Sequence, residues 1–188
     1  VTDARQSQHF AMLFAAVRRA GWAAEDVKLD HMPFGTVLGP NRKPFKTRDG
    51  GTIKLVDLLD EAELKTASVI EKKNSEMPEK QRQEAAKVIS IAALKYADLS
   101  NDRIKDYVFD WDRMLALDGN TAPYLQNAYV RILSIFRKGD IERQTIDKGA
   151  VIIQASSERT LALKLFQYAA AVEAVTERLE PHRLCTFL

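Results

Sequence analysis

The sequence predicts a mixed fold, a parallel α/β unit followed by an α-helical portion, and three observations carry that expectation. The first quarter alternates a short apolar run, an amphipathic helical pattern and a second apolar run. A cationic, glycine-punctuated loop follows the second run. Beyond it, apolar residues recur at helical spacing almost to the end of the chain.

Taken in order, Val1 to Asp3 reads as the end of a strand, followed by a polar turn at Arg5-Gln6-Ser7. A helix follows, with Phe10, Leu13, Phe14 and Val17 on one face and Gly21 closing it. Val27 to Asp30 is the expected second strand, leading into His31 to Leu38. From Leu55 to about Asn74 a helix is expected, with Leu55, Leu58, Leu59, Leu64 and Ile70 mostly on one side. Met77-Pro78 breaks it. Pro78 suits the first turn of a helix reaching Tyr96, with Ala85, Val88, Ile89, Ala92 and Ala93 as its packing face. After a polar connection, YVFDWD reads as a short extended piece entering a helical turn at Arg113 to Leu117. Asn120 or Thr121 can cap a helix that has Pro123 in its first turn and Gly139 at its end. Ser156 or Ser157 opens another, running from Leu161 through Leu179, and Pro181 precedes a last segment, Arg183 to Leu188.

The bulk numbers exclude several classes. With 188 residues, 46% hydrophobic and 29% charged content and a net charge of +2, the chain is ordinary for a core-forming protein of one large or two small domains. No run of about 18 apolar residues and no apolar leader is present, so the cytoplasm is the expected location and no membrane partner is expected. The single cysteine, Cys185, reads as a buried small hydrophobe. The three histidines, His9, His31 and His182, lie far apart without the spacing of a metal site, so no protein-bound metal is expected. The absent initiator methionine and abrupt ends are those expected of a fragment.

Charge concentrates in one place. Between Pro40 and Lys54, Arg42, Lys43, Lys46, Arg48 and Lys54 face the single acid Asp49, and Gly35, Gly39, Gly50 and Gly51 are half of the eight glycines. Such a loop suits phosphate, lying beyond the carboxyl end of a parallel strand where open α/β sheets take ligands. With neither a P-loop pattern nor GxGxxG, such spacing alone is more often that of a solvated hairpin than of a nucleotide site.

The run HMPFGTVLGPNRKPFKTRDGGTIKLVDLLDEA, with VTDARQSQHF before it and KYADLSNDRIKDYVFDWDRML and GNTAPYLQNAYVRI after it, resembles the arginyl-tRNA synthetase family in content and order. The resemblance is specific to about Lys138 and weaker through LEPHRLCTFL. It implies the C-terminal portion of a Rossmann-like class I synthetase catalytic domain over residues 1–100. Residues 101–188 would then form a truncated helical anticodon-binding bundle.

It further implies L-arginine, ATP carrying Mg²⁺ and tRNA(Arg) as substrates and partners, no DNA, and a monomer. The loop Lys43 to Thr47 resembles the KMSKS signature in two registers. One pairs Lys43, Lys46 and Thr47 with the two lysines and the serine, and the other pairs Phe45-Lys46-Thr47-Arg48 with MSTR. Lys43, Lys46, Thr47 and Arg48 are therefore the expected catalytic residues, meeting charge on the leaving pyrophosphate. His31, Phe34 and Gly35 are expected along the adenosine, and Gln6 in the arginine pocket. His9, on a neighbouring helix face, is expected to be structural. Tyr124, Tyr129, Arg131, Arg137 and Lys138 are expected on the tRNA, with Tyr168, Arg143 and Lys148 as further candidates.

The chain departs from the family pattern in two ways. It has no HIGH-type histidine pair, nor the tyrosine and aspartate expected upstream, so the chain alone is expected to be inactive. Asn41-Arg42 stands where the family commonly has Asp-Gly. Two further readings remain at this level: a non-catalytic RNA-binding module, and a helical interaction domain with an incidental basic hairpin.

Overall fold

A computed structural model describes residues 1–43, 54–142 and 150–188. By contact the chain forms two compact units, Val1–Ile53 with Asn101–Asp110, and Lys54–Ser100 with Trp111–Leu188.

The first unit is α/β. β1 (Thr2–Asp3) leads through a 3-10 turn, Ala4–Gln6, into α1 (Ser7–Arg19), and β2 (Pro33–Phe34) returns parallel to β1 with Thr2 opposite Pro33 and Asp3 opposite Phe34. The Thr2 amide donates to the Met32 carbonyl at 3.2 Å, so the missing N–H of Pro33 leaves this rung intact. β3 (Val37–Leu38) pairs in parallel with β4 (Tyr107–Val108) as a second two-stranded sheet, and Phe109 beside it is buried. The expectation of a strand at Val27 to Asp30 is corrected: the strand paired with β1 begins at Pro33. The reason is that the Val27 backbone is already used. Its N–H donates to the Ala24 carbonyl at 3.1 Å, and its carbonyl accepts from Arg18 Nη2 at 2.6 Å.

α1 ends as expected at Gly21, which takes φ +72°. The Gly21 amide donates to the Arg18 carbonyl and the Trp22 amide to the Val17 carbonyl, at 3.0 and 3.1 Å, a Schellman closure that needs a residue at ease in the left-handed region.

The second unit is helical. α2 (Leu55–Lys73) and α3 (Glu79–Leu99) form an antiparallel pair, and Pro78 stands at the N-cap of α3 rather than inside its first turn. Arg82 ties the pair, with Nη1 3.2 Å from Glu71 and Nη2 on Glu79. The helices meet through small residues: Ala62 and Thr66 on α2, and Ala86, Ser90 and Ala93 on α3, are all buried. Thr66 and Ser90 satisfy their hydroxyls on their own helices, donating to Ala62 O at 2.7 Å and Lys87 O at 3.1 Å.

Ala93 is buried as expected, but the rest of the expected packing faces is corrected. Leu55, Leu64 and Val88 are exposed, while Ala85, Val88, Ile89 and Ile70 line an open hollow of about 830 Å³ that also involves α5 (Ala122–Lys138). Periodicity identifies the apolar face of a helix. The close contact forms instead where side chains are short enough for two backbones to approach.

α4 is Trp111–Met114, two residues earlier than expected, and α5 starts as expected. Thr121 Oγ1 accepts from the Tyr124 amide at 3.2 Å and donates to Ala116 O at 2.7 Å, with Pro123 in the first turn. At the other end α5 closes at Gly139 as expected, and the left-handed residue is the next one, Asp140, φ +50°. The single helix expected through Leu179 is two, α6 (Ser156–Phe166) and α7 (Tyr168–Arg178), before α8 (His182–Phe187). Glu158 opens α6 by accepting from the Gln154 and Ala155 amides at 2.8 and 2.9 Å.

Candidate functional site

At the carboxyl end of β1, Asp3 caps the turn that carries Gln6. Its Oδ1 accepts from the Arg5 amide at 2.8 Å and from Arg5 Nε at 2.9 Å, and Oδ2 accepts from Arg5 Nη2 at 2.8 Å. Hydrogen bonds from the Arg5 guanidinium, then from its backbone, hold the Asp3 carboxyl down at about 2. Gln6, at the N-cap of α1, is exposed with no capping bond of its own, so its amide is available to a ligand at the strand end.

β2 delivers its residues beside this point, because Asp3 is in register with Phe34. Phe34 is 43% exposed, so part of it is open to a partner. Gly35 follows in close backbone contact: a Cβ placed there would lie 2.7 Å from both C and O of Lys105 and 2.9 Å from the Asp106 amide nitrogen. Its N–H donates to Arg103 O at 2.7 Å, and the next amide, Thr36, donates to Asp106 Oδ1 at 2.6 Å.

His31 is held from two sides. Its Nε2 lies 2.7 Å from Thr2 Oγ1, and its ring stacks on Phe10 with centroids 4.8 Å apart and planes 7° apart. His9 meets the same Phe10 edge-on at 5.5 Å. The two histidines and Phe10 thus form an aromatic row joining β1, α1 and the approach to β2, a row that helical spacing did not reveal because its members come from separate segments.

After β3 the chain turns at Gly39–Lys43. The Gly39 amide donates to Lys43 O and the Arg42 amide to Gly39 O, both at 2.8 Å, while Asn41 Oδ1 accepts from the Lys43 amide at 3.0 Å. Arg42 takes φ +57°, the conformation that the glycine of an Asp-Gly turn would adopt without strain. Lys43 therefore stands at the foot of the cationic loop. Phe45, Lys46, Thr47, Arg48, Gly50 and Gly51 lie outside the described residues, as do Arg143 and Lys148.

In the helical unit, Tyr124, Arg131 and Lys138 recur every seven residues along α5 and so share one exposed stripe. Tyr129 stands on another side, half-exposed at the rim of the hollow, and Arg137 is exposed off the stripe. Tyr168, also half-exposed, meets Phe187 at 6.0 Å. The GNTAPY segment positions Tyr124: Gly119 takes φ +70°, Asn120 Oδ1 accepts from the Tyr96 hydroxyl, and Thr121 caps the helix. Tyr96 also donates to Cys185 O at 3.3 Å; burial, then the Cys185 thiol, pushes its phenol up to about 12. Sequence reasoning passed over Tyr96, Arg103 and Asp106, since each is defined by a partner far along the chain.

Comparison with known proteins gives these features a family. The model of class I (R) tRNA synthetase catalytic domains matches residues 1–111, and that of the DALR anticodon binding domain matches residues 125–188. Fold and site together are those of a class I aminoacyl-tRNA synthetase: the C-terminal part of its catalytic domain followed by a helical anticodon-binding domain. The arginine–tRNA ligases of Vibrio vulnificus strain YJ016 and of Salmonella typhi are each 47% identical over 186 residues, 99% of this chain and 32% of the relative. The arginyl-tRNA synthetase structure from Thermus thermophilus superimposes with a TM-score of 0.77 at 28% identity, covering 99% of this chain and 30% of that one. The one from Plasmodium falciparum gives a TM-score of 0.79 at 27% identity, covering 98% and 31%. The chain belongs to the arginyl-tRNA synthetase family. It spans about a third of the length of the curated relatives it matches, 32% in each case.

Proposed function

We propose that this chain is part of an arginine–tRNA ligase. That enzyme joins L-arginine to the α-phosphate of ATP, releasing pyrophosphate, and then passes the arginyl group from the adenylate to tRNA(Arg), releasing AMP. The observation that carries the reading is the succession, in one chain, of the catalytic-domain match over residues 1–111 and the anticodon-domain match over 125–188. In this reading Lys43, Lys46, Thr47 and Arg48 meet the negative charge that develops on pyrophosphate as it leaves. Phe34 and Gly35 lie along the adenosine, with His31 behind them fixing the strand, and Gln6 hydrogen-bonds the substrate arginine. Mg²⁺ arrives with ATP, held by phosphate oxygens.

The division of labour is the one the sequence implies, residues 1–100 for nucleotide chemistry and 101–188 for the tRNA. α2 and α3 nevertheless pack in the same compact unit as the later helices. In this reading Tyr124, Arg131 and Lys138 contact tRNA together, a role their shared exposed stripe on α5 supports, with Tyr129 and Arg137 as separate contacts. The protein acts in the cytoplasm as a monomer; no helix among the described residues is long and apolar enough to cross a membrane.

The test is arginine-dependent pyrophosphate exchange and tRNA charging by this chain and by one extended upstream to include an H-x-G-H segment. Activity only in the longer chain, abolished by Lys46→Ala, is the expected result. Inactivity of both, with salt-sensitive RNA affinity that survives neutralising the Lys43–Arg48 loop, would overturn it in favour of an RNA-binding module.

A further inference from the structure

Among the described residues, Nε and Nη1 of Arg103 are buried and meet no hydrogen-bond acceptor. A guanidinium does not shed its proton, so burial cannot be relieved by neutralisation; only an acceptor, best an anion, relieves it. The acids nearest in sequence are turned to other donors. Asp102 accepts from the Ile104 amide at 3.2 Å and pairs with Lys105 Nζ at 3.8 Å, and Asp106 accepts from the Thr36 amide at 2.6 Å.

The backbone fixes where Arg103 joins the scaffold. Arg103 O takes the Gly35 N–H at 2.7 Å, so Arg103 is anchored where the chain leaves the carboxyl end of β2, next to the half-exposed Phe34. That is the end of a parallel pair at which open α/β sheets take their ligands. We infer that Arg103 is an oxyanion-binding residue whose ligand is the polyphosphate of a nucleotide. Phosphate oxygens could also be offered by an RNA backbone. The nucleotide is favoured because the ligase proposed above takes one and because the half-exposed Phe34, next to Gly35, suits a flat base. The inference rests on the proposed ligase only for the choice of nucleotide; a phosphate site at Arg103 stands without it.

The experiment follows the Arg103 Nε–H signal of the ¹⁵N-labelled chain by NMR during titration with inorganic pyrophosphate, ATP or a short single-stranded RNA, against sodium chloride at equal ionic strength. Saturable shifts with pyrophosphate and ATP are expected, with little response to RNA. Arg103→Met should weaken pyrophosphate binding by about tenfold or more, and Arg103→Lys by less, because lysine keeps the charge without the fork. No saturable shift with any phosphate, an equal shift with chloride, or a response to RNA alone would overturn the inference, as would unchanged pyrophosphate affinity in Arg103→Met. Should that variant fail to fold, the wild-type titration decides by itself. Charging activity in the longer chain together with a silent Arg103 signal would sink this assignment and leave the ligase reading intact; the reverse pattern would do the opposite.

Discussion

Replacing Gly35 by alanine tests whether the segment after β2 is held by close backbone contact. The added methyl would lie 2.7 Å from the carbonyl carbon and oxygen of Lys105 and 2.9 Å from the Asp106 nitrogen, whereas ordinary contact begins at 3.4 Å. All three obstacles are backbone, so no side chain can swing aside, and the 34–36 and 103–106 segments must separate. Overpacking of this kind costs about 1–3 kcal/mol. Separation also weakens the Gly35-to-Arg103 and Thr36-to-Asp106 hydrogen bonds, each worth about 1 kcal/mol net. The expected loss is therefore about 2–4 kcal/mol, centred on the α/β unit. Urea denaturation measures it, and hydrogen exchange locates it, because the Tyr107 and Phe109 amides that donate to Thr36 O and Leu38 O should lose protection first. Gly119→Ala is the control: with φ +70° and nothing within 4 Å of its Cβ, it meets strain without collision and should cost about 1–2 kcal/mol in the helical unit. A Gly35→Ala chain as stable as wild type, with Phe109 equally protected, would refute the close-contact argument.

Three other outcomes are expected. Ala86→Leu, at the fully buried centre of the α2–α3 seam, should lower stability by about 2–3 kcal/mol in chemical denaturation, while Val88→Leu on the hollow should change it little. Arg42→Gly should raise the melting temperature through a net gain of about 0.5 kcal/mol, relief of the φ +57° strain outweighing glycine entropy; Arg42→Ala keeps the strain and should show no gain. For Tyr96, a phenol pushed from 10 up to about 12 in the folded chain means that the unfolded chain loses its proton first. Stability should thus be full below about pH 10 and fall as pH rises towards 12, with one of the five tyrosines titrating late in tyrosinate absorbance. Tyr96→Phe should flatten that fall, and an unchanged slope would count against the assignment.

Local chemistry made the helices legible. Gly21, Pro78 and Thr121 mark ends by their own backbone or hydroxyl preferences, and the structure uses each within a residue of where such preferences put it. Pairing was not legible, because it depends on which donors remain unspent. Val27 to Asp30 has the composition of a strand, yet Arg18, nine residues earlier, takes the Val27 carbonyl, and the ladder moves on to Pro33. The break at Gln167 escaped notice for a related reason. Nothing in LFQYAA stops a helix, and the division between α6 and α7 comes without a glycine or proline to announce it.

The candidate site divides along the same line. Residues that would face a ligand, such as Gln6, Phe34 and Lys43, are recognisable because substrate chemistry restricts residue type within a contiguous motif. Residues that hold them are not, because a supporting contact needs only a partner of the right shape at any sequence distance. Thr2 supports His31 across 29 positions, Asp106 holds Thr36 across 70, and Tyr96 reaches Cys185 across 89. Arg103 shows how the two kinds meet. Its carbonyl serves the scaffold by fixing Gly35, while Nε and Nη1 of its guanidinium are buried without an acceptor. With Asp102 and Asp106 turned to other donors, those two nitrogens are what the proposed phosphate would complete.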